Sequence, residues 1–197
     1  MKLSTRLTHL IYGLQVLAMC ASVMPVSATP IISVVGPASV IQGNDFSIDI
    51  SVSDVTDLYA FQFDLGFDPS LLRALSITEG PLLPAAGATF AIPGLIDNSI
   101  GSITGMADSL VGLIPGANGN GILFSVNFRA IGAGISALTL SNELFLDSSL
   151  NDITGTVSAN NGRISVSPGS AVPTPSTVTL LLLGLFCARL ACRRAIA

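Results

Sequence analysis

The chain has 197 residues, of which half are hydrophobic and only 10% charged, with 8 lysines and arginines against 12 aspartates and glutamates. Such a composition describes one ordinary domain plus something unusually apolar. Between Thr29 and Ala171 only Arg73, Arg129 and Arg163 are cationic while all 12 carboxylates of the chain lie there, leaving nine net negative charges that exclude nucleic acid as a partner.

The first 28 residues read as an export signal. Lys2 and Arg6 precede an apolar run from Leu10 to Val23, and Val26-Ser27-Ala28 offers the small residues a signal peptidase accepts, so cleavage is expected after Ala28. Residues 29–167 then form the domain. Phe46, Ile48, Ile50 and Val52 alternate with Ser47, Asp49, Ser51 and Ser53 after a Gln42-Gly43-Asn44-Asp45 turn, the period of a strand with one buried face. The same pattern is clearest at Phe61, Phe63, Leu65 and Phe67, which alternate with Gln62, Asp64, Gly66 and Asp68. Asp68-Pro69-Ser70 stops that strand, because Pro69 has no ladder donor and Asp68 can cap a turn.

Residues 81–98 and 112–121, rich in Pro and Gly, read as loops. Phe124, Val126, Phe128 and Ala130 mark another strand, Gly132-Ala133-Gly134 a hairpin turn, and Leu138 with Leu140 and Ile164 with Val166 two shorter strands. Turn signals every 8 to 12 residues without a helical period predict an all-β sandwich. Asp147, Asn151 and Asp152 cluster in one turn with oxygens suited to calcium, but their spacing is not that of an EF-hand, and turn chemistry accounts for them. No metal or cofactor is expected.

Catalysis is not expected either. Cys20, Cys187, Cys192 and His9 all fall outside the domain, which therefore cannot build a Ser-His-Asp triad, a cysteine nucleophile or a conventional zinc site. Asp64 and Asp68 sit on one strand face rather than across a cleft, unlike a glycosidase pair.

At the C-terminus, residues 168–176 form a Pro, Ser and Thr linker, and residues 177–197 an apolar run ending in Arg189, Arg193 and Arg194. The 16 residues from Thr177 to Cys192 would make about 24 Å of helix, short for a bilayer. Basic residues outside both apolar runs place the two ends in the cytoplasm and the acidic domain across the membrane. Val172-Pro173-Thr174-Pro175-Ser176-Thr177, the Leu-rich run and the terminal arginines resemble the PEP-CTERM sorting signal of exopolysaccharide-producing Gram-negative bacteria, with Thr174 at the motif's Glu. The resemblance implies removal of the tail by an exosortase through the signal residues Pro173, Pro175, Arg189, Arg193 and Arg194, and delivery to the cell surface or matrix.

The domain is similar to cohesin. The similarity rests on Leu58 to Leu72 with its Phe-Asp-Pro-Ser-Leu-Leu, the Gly80-Pro81-Leu82-Leu83 step, Ile103 to Asp108, Gly121 to Ala130, and the closing Asn161-Gly162-Arg163-Ile164-Ser165-Val166. It implies a jelly-roll β-sandwich of about nine strands, flanked here by an N-terminal signal helix and a C-terminal hydrophobic helix, acting as a non-catalytic scaffold module. In cohesins the strand before the aromatic-Asp-Pro step presents an outward Asn-x-Asp pair to a dockerin; these positions are Ala60 and Gln62, with Asp64 one step further on the same face. The later outward Ala-Glu step corresponds to Ala107-Asp108. Gln62, Asp64, Ala107 and Asp108 are thus the expected partner-facing residues, with a dockerin-like or other surface protein as partner. The fold is also close to carbohydrate-binding modules, which gives a second reading: binding of exopolysaccharide, or a part in polysaccharide catabolism. With no Trp and one Tyr in the domain, stacking on a sugar would fall to Tyr59.

Overall fold

The computed structural model describes residues 29–169. Eleven strands run in the order β1 (Ile31–Val35), β2 (Ser39–Ile41), β3 (Asp45–Leu58), β4 (Ala60–Gly66), β5 (Leu72–Glu79), β6 (Leu95–Asp97), β7 (Ser102–Ser109), β8 (Ala117–Ala130), β9 (Gly134–Leu146), β10 (Ser158–Asn160) and β11 (Gly162–Ser167). One short helix, α1 (Leu82–Ala86), lies between β5 and β6. The strands form a five-stranded sheet ordered β10-β1-β3-β8-β5 and a six-stranded sheet ordered β2-β11-β9-β4-β7-β6. Both sheets are antiparallel except at their ends, where β1 pairs with β10 and β2 with β11 in parallel. The opening and closing segments of the domain thereby fasten each other.

Alternation along the strands decides which side chains meet between the sheets. Phe61, Phe63 and Leu65 of β4 face inward and are buried, as are Ile48, Ile50 and Val52 of β3 and Phe124, Val126 and Phe128 of β8. Phe61 stacks on Phe63 at 5.6 Å between ring centroids, and Phe124 meets both edge-on, at 5.7 and 6.2 Å. Phe67 closes on Phe128 in the same way at 5.1 Å. Edge-to-face pairs of this kind add about 0.5–1.5 kcal/mol each beyond the apolar area they remove from water. The turn after β4 forms as expected: Asp68 Oδ1 accepts from the Ser70 backbone N–H at 2.8 Å and from its hydroxyl at 2.6 Å.

Three expectations need correction. The stretch 81–98 is not all loop: it contains α1, β6 and, between them, a segment bonded to β7. Residues 117–121 belong to β8, whose entry is held by side chains of that stretch. Asn118 and Asn120 Oδ1 accept from the backbone N–H groups of Asp57 and Asp54, at 2.9 and 2.7 Å. Both aspartates have positive φ, at irregularities in the β3–β8 pairing. Finally, Gly132-Ala133-Gly134 is not a hairpin turn, because β8 and β9 lie in different sheets and the segment crosses between them.

The outer edge of β5 is closed by a side chain. Asn98 Oδ1 accepts from the Ala74 N–H at 2.8 Å while its Nδ2 donates to the Ala74 carbonyl at 3.0 Å, satisfying both groups as a neighbouring strand would. Among the described residues no helix is long and apolar enough to cross a membrane. The expected signal peptide at 1–28, all but the first two residues of the expected linker at 168–176, and the apolar tail at 177–197 lie outside them.

Candidate functional site

The outer face of the six-stranded sheet carries a groove at the end where β4 begins. Its floor is β4 and β7, where Ala60 pairs with Ser109 and Gln62 with Ala107. One wall is β9, whose Leu144 and Leu146 stand opposite Gln62 and Ala60. The other is a strap, residues 88–92, running beside β7. Phe90 N–H donates to the Ser109 carbonyl at 2.8 Å, and Ile92 and Ala107 exchange backbone bonds at 2.7 and 2.9 Å. These residues enclose about 200 Å³. Phe90 is 64% exposed, Ile92 45% and Leu144 38%. Large apolar side chains left in water around a small-residue floor are the signature of a surface made to be covered.

Of the predicted partner-facing residues, Gln62 is exposed and Ala107 half-buried on this floor. Asp64 lies on the same face but its carboxylate is engaged within the sheet. Oδ1 accepts from Gly105 N–H at 2.7 Å, and Oδ2 from Asn142 Nδ2 at 2.6 Å. Each bond crosses an irregularity in strand pairing, one towards β7 and one towards β9, and both Gly105 and Asn142 have positive φ. Asp64 therefore fastens two bulges.

Asp108 is not on the outer face. Consecutive residues of a strand point to opposite sides, so with Ala107 outward Asp108 turns inward, opposite buried Phe61, and is only 3% exposed. Burial is the main force pushing its carboxyl up to about 7; the facing Glu79 carboxyl adds to this, while a bond from Ser109 N–H works against it. Glu79 in turn accepts from the Thr89 hydroxyl of the strap at 2.6 Å.

Tyr59, the candidate sugar platform, packs half-buried against the core, and its hydroxyl donates to the Gly112 carbonyl at 2.7 Å. Asp147 and Asp152 spend their oxygens within their own turn. Asp147 accepts from Ser149 N–H and from the backbone and side-chain amides of Asn151, and Asp152 accepts from Thr154 N–H. The sorting residues Pro173, Pro175, Arg189, Arg193 and Arg194 lie outside the described residues. Sequence reasoning missed Phe90, Ile92, Leu144 and Leu146. Phe90 and Ile92 fall in a Pro- and Gly-rich stretch, and the only signal available was that neither had a strand pattern to bury it.

A two-sheet sandwich with a shallow apolar groove on one outer face is the architecture of a binding module. The sequence profile of the cohesin domain matches residues 32–166, and the chain belongs to that family. No curated protein matches the sequence. Among solved structures, the fold is similar to a non-cellulosomal cohesin of the hyperthermophilic archaeon Archaeoglobus fulgidus, at 21% identity and a TM-score of 0.57 over 71% of this chain and 92% of that one. It is also similar to the second type II cohesin module of the ScaA adaptor scaffoldin of Acetivibrio cellulolyticus, at 17% identity and a TM-score of 0.62 over 77% and 98% of the two chains. A third similar structure is the third cohesin of ScaC from that organism, solved in complex with the ScaB dockerin, at 20% identity, a TM-score of 0.57, and 70% and 98% coverage.

Proposed function

We propose that this domain is a non-catalytic protein-binding module that seats a dockerin-like helical partner in the groove between the strap and β9. The observation that carries this reading is the exposed apolar rim of Phe90, Ile92 and Leu144 over a floor of Ala60 and Ala107, an apolar surface of the kind that takes the apolar face of an amphipathic helix. Asp64 lies on this outer face and Arg163 on β11 of the same sheet, whereas Arg73 and Arg129 lie on the five-stranded sheet, so the apolar rim rather than charge selects the partner. A carbohydrate ligand has less support, because the ring and hydroxyl of Tyr59 are already engaged. Export through residues 1–28 and exosortase-dependent sorting through 168–197 to the surface or exopolysaccharide matrix complete the proposal; their support is the sequence pattern alone.

The test is surface plasmon resonance of the immobilised full chain against purified dockerin modules. The wild type is expected to bind, and Ala107→Arg and Leu144→Asp each to weaken binding by tenfold or more, a loss of about 1.4 kcal/mol. Binding unchanged by both substitutions removes the groove from the site.

A further inference from the structure

Two of the three arginines of the domain stand together on the sheet that does not carry the groove. Asp45 of β3, Arg129 of β8 and Arg73 of β5 form one continuous rung, with Asp45 opposite Arg129 and Arg129 opposite Arg73. Their side chains point away from the core, because Leu72, Ala74, Phe128 and Ala130 beside them point into it. Like charges directly opposite each other on neighbouring strands repel, and the rung supplies an anion for only one of the two arginines.

Arg129 has that anion. Its Nε donates to Asp45 Oδ1 at 2.6 Å and its Nη2 to Asp45 Oδ2 at 2.9 Å, a bidentate pair that fixes the guanidinium plane. Arg73 has none. All 12 carboxylate side chains of the chain lie among the described residues, and none of them is within ion-pair distance of Arg73. Asp97, which precedes Asn98, accepts instead from Ser99 N–H at 2.9 Å. Both arginines line a pocket of about 480 Å³ at the outer edge of β5, beside β6 and the turn that follows it, with Leu75, Ile96, Asn98 and Ile131 among its other walls. Leu75 and Ile131 are exposed and Ile96 is half-buried.

Arg73, Arg129 and Asp45 together leave this site one net positive charge. A single carboxylate neutralises it, a phosphate dianion overshoots, and a polyanion meets the nine net negative charges of the whole domain. The apolar walls are aliphatic, so they suit an aliphatic body beside the carboxylate better than a sugar ring, which stacks on aromatic faces. A guanidinium fork with its donors free takes a carboxylate in bidentate geometry. We propose that this pocket is a second binding site, for a peptide segment in which one carboxylate is flanked by aliphatic side chains, the carboxylate seated on Arg73 with the Asp45-held Arg129 beside it. An occupant of the groove, on the other sheet, neither completes nor blocks it.

Surface plasmon resonance of the immobilised full chain tests the site, the probe being an acetylated and amidated pentapeptide with one glutamate between leucines. Saturable binding is expected, about tenfold tighter than that of the same peptide with glutamine at the centre. Arg73→Gln is expected to weaken the glutamate peptide by about tenfold and to leave the glutamine peptide unchanged. Arg73 is exposed, and a circular dichroism spectrum matching the wild type shows that the loss is of the site and not of the fold. Arg73→Lys, which keeps the charge without the fork, is expected to fall between the two. No saturable binding of the glutamate peptide, equal binding of the two peptides, or binding unchanged in Arg73→Gln overturns the proposal. Glucuronic acid bound as tightly as the glutamate peptide overturns the choice of a peptide and gives the pocket to acidic sugars.

Discussion

Replacing Asp64 by alanine separates two roles for that carboxylate, a contact offered to a partner and a fastening within the sheet. The substitution removes the acceptor for Gly105 N–H at 2.7 Å and for Asn142 Nδ2 at 2.6 Å. A hydrogen bond to a charged group contributes about 1.5–3 kcal/mol. Asn142 is exposed and its freed amide regains water, so most of the loss falls on the partly buried Gly105 N–H. The expected cost is about 2–3 kcal/mol, or on the order of 5–10 °C in Tm for a domain of this size. Asp64→Asn keeps an acceptor for Gly105, and Asn142 can rotate its amide to meet the new side chain, so this variant is expected to lose less than about 1 kcal/mol. Urea unfolding followed by circular dichroism measures both, read as midpoint shifts at constant slope. The fastening role is refuted if Asp64→Ala costs less than about 0.5 kcal/mol, or if the two variants are equally destabilised.

Stability should pass through a maximum near pH 4–5. Asp45 beside Arg129, Asp57 with Ser148 and Gly116, Asp68 with Ser70, Asp97 with Ser99, Asp147 with Asn151 and Asp152 with Thr154 are all held below the ordinary carboxylate range. Their contribution is present above about pH 4 and is lost as pH falls through their folded values. Asp108 has the opposite sign: its folded pKa of about 7 lies above the unfolded value, so its contribution is complete below about pH 4 and disappears as pH rises toward 7. Urea midpoints measured across that range should decline on the alkaline side by at most about 4 kcal/mol and become flat there in Asp108→Asn; a wild-type midpoint that rises from pH 5 to 8 contradicts the assignment. Asn98→Ala leaves both polar groups of Ala74 unpaired, which should cost about 1–3 kcal/mol and expose the β5 edge, visible as concentration-dependent association in size-exclusion chromatography. Phe63→Ala empties a fully buried site between Phe61 and Phe124 and should cost about 3–5 kcal/mol in the same urea assay.

Much of the fold was legible because the information it needed was local. Phe61, Phe63, Leu65 and Phe67 alternate with polar residues over one short run, and only a strand with a buried face satisfies that run. The Asp68-Pro69-Ser70 stop likewise depends on atoms two residues apart, and it forms with Asp68 bonded to Ser70. The start of β8 was not legible in this way. Its glycines and asparagines look like a loop until Asn118 and Asn120 are seen reaching Asp57 and Asp54, more than sixty residues earlier. Helix α1 spans only five residues, too few to show a period.

The amino-acid order by itself determined that residues 29–167 form an acidic β-sandwich without cysteine or histidine, and it determined which face of each long strand is apolar. Those properties follow from composition and from the two-residue repeat, which hold whatever the strands pack against. Tertiary structure alone decided that Asp108 sits inside while Ala107 sits outside, that Asp64 is committed to its neighbours, and that Phe90, Ile92, Leu144 and Leu146 meet around one groove. Each of these depends on register between strands far apart in the chain, and register is fixed only when the two sheets close on their shared core.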